Sequence, residues 1–191
     1  MDNQSPKTKR KNNPQLLRHS ILIAAKNIML ADGIANISMQ KVADAAGTSK
    51  GGLFHHFKNK DELIESVFGL FIAQINTAIL QEIEQIGKQK GVFTHAYVNV
   101  FFTNQSIGLS SDWAGLVRAM NAESKLVNFW NEWLNQKLQS HATTDDDIRL
   151  FAIRCAADGA WLNNLSSDNL PMLHAYLVGL IDEIRNTTSL G

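Results

Sequence analysis

Residues 38–60 read SMQKVADAAGTSKGGLFHHFKNK. Ser38 is a good helix N-cap, Val42, Ala43 and Ala46 face inward in the turns after it, and Gly47 ends them. Ser49 opens a second helix, in which Leu53 and Phe57, four residues apart, supply an inward face. Gly51 and Gly52 sit in that helix although each costs about 1 kcal/mol relative to alanine there, so packing from elsewhere has to hold them. Two short helices broken at Gly47 and Thr48 form the pattern of a helix-turn-helix, whose second helix enters the major groove of DNA. The same pattern fits a helical hairpin in a bundle, with Leu53 and Phe57 as core.

Around this stretch the chain reads as all-α, with about nine helices, because long segments carry helical spacing and no period-2 alternation stands out. The first runs from about Gln15 to Ala31, and the two short ones follow. A fourth starts at Asn59, with Asp61 and Glu62 in its first turn, and carries an apolar stripe to Ile86. Further helices are expected over 92–104, 111–122 and 123–139, then from the cap at 144–147 to Leu165, and from Asn169 and Pro171 to Asn186. The expected organisation is a basic disordered tail (1–14), a DNA-binding unit (15–60) and a helical body (61–191).

The 191 residues include 45% hydrophobic and 19% charged ones, which describes a globular chain with a full core. Net charge is zero, but residues 1–60 carry ten Lys/Arg against three Asp/Glu, while 61–191 carry eight against fifteen. A basic head on an acidic body suits a chain of which one end meets a polyanion, although a solubilising lysine-rich tail gives the same tally. A single cysteine, Cys155, rules out an intramolecular disulfide framework. With no signal-peptide pattern and no run of about 18 apolar residues, a cytoplasmic protein without a membrane span is expected.

His55 and His56 are the first candidates for chemistry, but helical neighbours point about 100° apart and ligand pairs on a helix need i,i+4 spacing. No H-E-x-x-H motif, Cys/His cluster or nucleophile–base pair accompanies them, so neither metal, cofactor nor enzymatic activity is expected. What stays outward at Ser49–Gly52 is bare backbone beside Lys50, where glycine permits close approach and first-turn N–H groups favour an anion.

Together, Gly33, Ser38, Val42-Ala43, Ala46 through Lys60 and Leu63 resemble the DNA-binding domain of the TetR family of bacterial transcriptional regulators. The resemblance covers about residues 15–63. It implies that Ser38 caps its helix against a phosphate, and that Thr48, Ser49, Lys50, Gly51 and Gly52 lie at the groove-facing start of the recognition helix. It also implies that Phe54, His55 and His56 touch the sugar-phosphate backbone and that Lys60 closes the approach. The family commonly has tyrosine where Phe54 stands, and often a side chain where Gly52 stands. Lys50 is then the best candidate for base readout, since lysine donates to guanine O6 and N7.

The resemblance further implies a dimer on a palindromic operator, paired through the last two helices, and repression relieved by a small effector. Ala152, Cys155, Ala156, Gly159 and Ala160 offer a small-residue face there, and Leu173, Leu177, Leu180, Ile181 and Ile184 a wide apolar stripe; both also serve as intrachain core. Phe93, Tyr97, Phe101, Trp113, Phe129, Trp130, Trp133 and Trp161 suit an apolar or aromatic cavity, with His95, Asn99, Arg118 and Asn121 as polar candidates. An anionic effector follows if Arg118 faces inward.

Overall fold

The computed structural model describes residues 13–163 and 168–188. The basic tail up to residue 12, and Leu165, where the sequence reading ends a helix, lie outside the described residues. Those described form ten α-helices and one 3-10 turn, and no strand. The chain separates into two compact units, 1–67 and 68–191, and the division falls inside a helix.

In the first unit, helix α1 (Pro14–Asp32) begins one residue before the expected Gln15, because the Asn13 side chain accepts from the Gln15 and Leu16 N–H groups and Pro14 needs no partner for its nitrogen. A 3-10 turn (Ile34–Asn36) leads to α2 (Met39–Ala45) and α3 (Lys50–Phe54). The third helix is shorter than its sequence pattern: His55 is the C-cap, and His56 and Phe57 lie beyond it. Helix α4 (Lys60–Ile86) then starts with a reciprocal cap, Asn59 accepting from the Glu62 N–H at 2.8 Å and Glu62 from the Lys58 N–H at 2.7 Å. By length and composition alone α4 could cross a membrane, which the sequence reading did not find. Its Leu63, Val67, Phe68, Phe71, Ile75 and Ile79 are buried within the protein, as in the core helix of a globular domain.

In the second unit, α5 (Val92–Thr103) is buried on almost every side and packs against α8 (Ala142–Asp145), α9 (Ile148–Leu162) and α10 (Leu170–Thr188). Helices α6 (Asp112–Met120) and α7 (Ser124–Ser140) complete it, α6 against α9 and α7 against α8. The four-residue α8 is the element beyond the nine expected. It brings Asp145, fully buried, to the start of α5, where Gly91 in a left-handed conformation (φ 68°) offers no side-chain cap. Asp145 accepts instead from the Phe93 and Thr94 N–H groups at 3.1 and 2.8 Å and from the Thr94 hydroxyl at 2.6 Å. Arg154 of α9 donates to that same hydroxyl at 2.6 Å and lies 4.0 Å from the carboxylate.

A turn after α5 is packed without room for a side chain. A Cβ at Gly108 would meet the Phe101, Asn104 and Val100 carbonyl oxygens at 2.5, 2.6 and 2.9 Å. Gly108→Ala is therefore expected to lower stability by about 2 kcal/mol, whereas Gly69→Ala in α4, where a Cβ meets nothing within 4 Å, should raise it by about 1 kcal/mol; urea denaturation measures both. Asp145→Ala leaves Arg154 buried and two amides uncapped, and thermal unfolding is expected to register a loss of about 3 kcal/mol.

Candidate nucleic-acid interface and cavity

Two hydroxyl caps set the geometry of the first unit. Ser38 accepts from the Lys41 N–H at 3.2 Å and Ser49 from the Gly52 N–H at 3.0 Å, so each helix of the pair has its start defined. Between them Gly47 takes φ 67°, and the Thr48 N–H donates to the Ala43 carbonyl at 3.0 Å, which closes the turn. Leu53 and Phe57 are fully buried, and the Arg18 guanidinium stands 4.9 Å from the Phe57 ring centroid.

The two glycines have different reasons. A Cβ on Gly52 would lie 2.5 Å from the Thr48 hydroxyl, so packing of the turn accounts for it. Gly51 is exposed, and among the described residues a Cβ there would meet only the Ser49 hydroxyl at 3.9 Å, so none of them accounts for that one. Lys50, Gly51 and Phe54 of α3 and the C-cap His55 are exposed, Gly51 and His55 opposite Leu53 and Lys50 and Phe54 to one side of it. Phe54 is 42% exposed. His56 lies half-buried beside Phe57, and the Lys60 ammonium donates to the Ala35 carbonyl at 2.8 Å, which ties that charge to the 3-10 turn.

The second unit holds a cavity of about 190 Å³. Phe101, Trp130 and Trp161 line it, as does Asn121. The other expected residues lie off its wall. Phe93 and Tyr97 are enclosed on α5, with Phe93 edge-on to His141 at 5.2 Å. Trp113 packs on Phe71 at 5.1 Å, Trp133 on Trp130 at 4.8 Å, and Phe129, 43% exposed, on Phe68 at 5.9 Å. His95 accepts from Arg185 at 2.9 Å, and burial, with that cation, holds its pKa below the usual histidine value. Asn99 bridges Glu82 and His174 at 2.8 and 2.9 Å. Arg118 is not on the wall, so the premise for an anionic effector is absent.

The wall instead includes Asp158, which sequence reasoning missed. Tyr97 donates its hydroxyl to Asp158 Oδ1. Burial pushes the Asp158 carboxyl up from its usual range, against the opposing effects of that hydrogen bond and of Arg154. Burial, and the carboxylate beside it, hold the Tyr97 hydroxyl well above the ordinary tyrosine range, so it stays a donor. The only sequence signal for Asp158 was an acid interrupting the small-residue run of α9.

On α9 and α10, Ala152, Ala156, Leu173, Leu177, Leu180 and Ile184 line one groove. Within that set, and for Ala160 and Ile181, burial differs by position: Ala160, Leu177, Ile181 and Ile184 are intrachain core. Ala152, Cys155 and Ala156 are exposed, Gly159 is half-buried, and Phe151, Met172 and Tyr176 extend the open apolar face at 52%, 73% and 64% exposure. Among the described residues no group of three His, Cys, Asp or Glu side chains could hold a metal ion.

Residues 21–67 match the family described as "Bacterial regulatory proteins, tetR family", and residues 91–182 match "Tetracyclin repressor-like, C-terminal domain". An uncharacterized HTH-type transcriptional regulator of Haemophilus influenzae is 36% identical over 63 residues, 31% of this chain and 34% of that protein. The HTH-type transcriptional repressor KstR2 of Mycolicibacterium smegmatis is 32% identical over 59 residues, 31% of this chain and 29% of that one. The matched stretch thus spans about a third of these relatives' length. A crystal structure of the multidrug binding protein EbrR complexed with malachite green shares the fold, with a TM-score of 0.66 at 19% identity, over 86% of this chain and 97% of that one. The helix-turn-helix and the helical body are thus each matched by a model of one family, a family of DNA-binding regulators and not of enzymes, and the chain belongs to it: the TetR family of bacterial transcriptional regulators.

Proposed function

We propose that the protein is a ligand-responsive repressor that binds a palindromic DNA operator as a homodimer. One observation carries the DNA-reading part: on a helix fixed by the Ser49 cap and by buried Leu53, the exposed residues are Lys50, a Gly51 that no contact among the described residues requires, and a solvent-exposed Phe54. A flat backbone beside a lysine suits close approach to base edges, and an exposed aromatic suits the sugar-phosphate backbone. Ser38, Thr48, Ser49, Gly52, His55, His56 and Lys60 flank those residues as backbone-side contacts. Genome-wide recovery of bound DNA should return a palindromic site. Lys50→Ala is expected to cut the preference for that site over random duplex by about tenfold or more, from the 1–3 kcal/mol of a good base contact. Unchanged discrimination would remove Lys50 from base readout.

The dimer is assigned to the open face of α9 and α10. Phe151, Ala152, Cys155 and Ala156 share one side of α9, and small residues let a second copy come close. Leu177, Ile181 and Ile184 support this face from beneath, so a charge there tests folding and not pairing. Ala156→Glu is the cleaner probe: sedimentation should show a folded monomer with weakened operator binding, and a dimer that survives would place the interface elsewhere.

The effector is small and mostly apolar or aromatic, in keeping with the Phe101, Trp130 and Trp161 walls; EbrR, of the same fold, holds malachite green. Phe68 of α4 is also in the wall, and α4 runs without a break through the division at residue 67. Effector contact with that helix biases the dimer toward a spacing of recognition helices that no longer fits successive major grooves.

A further inference from the structure

We propose that the cavity selects a cationic aromatic effector, an amine or quaternary ammonium held between the Asp158 carboxylate and the faces of Phe101, Trp130 and Trp161. This rests on the reading of the cavity as an effector site, and it names the chemistry that site takes. Of the described residues lining the cavity, Asp158 is the only charged one; Asn121 and Asn131 are the other polar ones, and the remainder are apolar or aromatic.

A carboxylate in such a wall is costly unless it is paired. Asp158 receives one hydrogen bond among the described residues, from the neutral hydroxyl of Tyr97 onto Oδ1, and Oδ2 accepts none. The nearest cation in sequence, Arg154 one turn earlier on α9, is committed to Thr94 and Asp145 at 2.6 and 4.0 Å. The site therefore has an acidic group without a dedicated counter-ion, facing an aromatic space. The upward displacement of the Asp158 carboxyl by burial has the same origin.

The aromatic walls select the same sign. Phe101 lies 5.0 Å from Trp161 and 6.1 Å from Trp130, centroid to centroid, and ring faces carry the negative part of the aromatic quadrupole. A cation gains from both the carboxylate and the rings. An anion is opposed by both, and a neutral ligand leaves Asp158 uncompensated.

Three probes of one shape decide this with the full-length protein: (naphthylmethyl)trimethylammonium, its neutral carbon isostere neopentylnaphthalene, and naphthylmethanesulfonate. Binding is followed by calorimetry and by fluorescence of the cavity tryptophans. The expected result is that the cation binds about tenfold or more tighter than the neutral isostere, which corresponds to one desolvated charge interaction, and that the sulfonate binds worst. Asp158→Asn, which keeps an acceptor for Tyr97, should bring the cation down to the affinity of the isostere and leave the isostere unchanged. Tyr97→Phe, which keeps the charge, should retain the preference.

Equal binding of cation and isostere by the native protein overturns the charge assignment and leaves the effector site standing. A tighter sulfonate does the same. If none of the three binds, the cavity is not an effector site and both readings fall. Because the native comparison needs no variant, failure of Asp158→Asn to fold does not rescue the proposal.

Discussion

The body is organised around a carboxylate that caps a helix from 51 residues away along the chain. Helix α5 is apolar almost all round and is enclosed by α8, α9 and α10, so its first N–H groups have no water to turn to. Gly91 lets the chain enter at a left-handed angle but brings no side chain, and a Cβ there would press on Leu150 at 3.0 Å. Asp145 supplies the missing acceptor, and Arg154 joins the resulting network to α9. One buried cluster therefore sets α5 against α8 and α9, and with them the wall that Phe101, Asp158 and Trp161 give to the cavity.

The DNA-facing unit is built on a different economy. Its second and third helices have seven and five residues, too short to persist alone, and are held by two serine caps and by Leu53 and Phe57 in the core. Rigidity comes from what is buried and capped, which leaves the outward sector free of structural duty. Gly51 illustrates the separation: its neighbour Gly52 is explained by the Thr48 hydroxyl, whereas no contact among the described residues explains Gly51.

Much of this was legible in the sequence where the causes are local. Ser38, Ser49 and Asn59 announce their helices through short-range caps, and Leu53 and Phe57 announce their burial through i,i+4 spacing. Caps made across the chain were not legible: nothing near Gly91 points to Asp145, and the negative run 145–147 reads equally as a local helix start. Helix α3 ends sooner than its pattern because Gly51 and Gly52 weaken it and the chain must turn to bury Phe57. Among the aromatics, composition does not say which faces of α5, α7 and α9 border a cavity. Phe101, Trp130 and Trp161 therefore separate from Phe93 and Trp113 only in three dimensions, and Asp158 gains its meaning only from the rings around it.

Contact between the capped helix pair and DNA is tested most directly by the affinity of the intact protein for duplex DNA as a function of salt. Binding through about six phosphate contacts predicts a linear fall of log K with log salt, about a thousandfold between about 50 and about 200 mM. An affinity that is flat over that range, or no binding at the lowest salt, would contradict it.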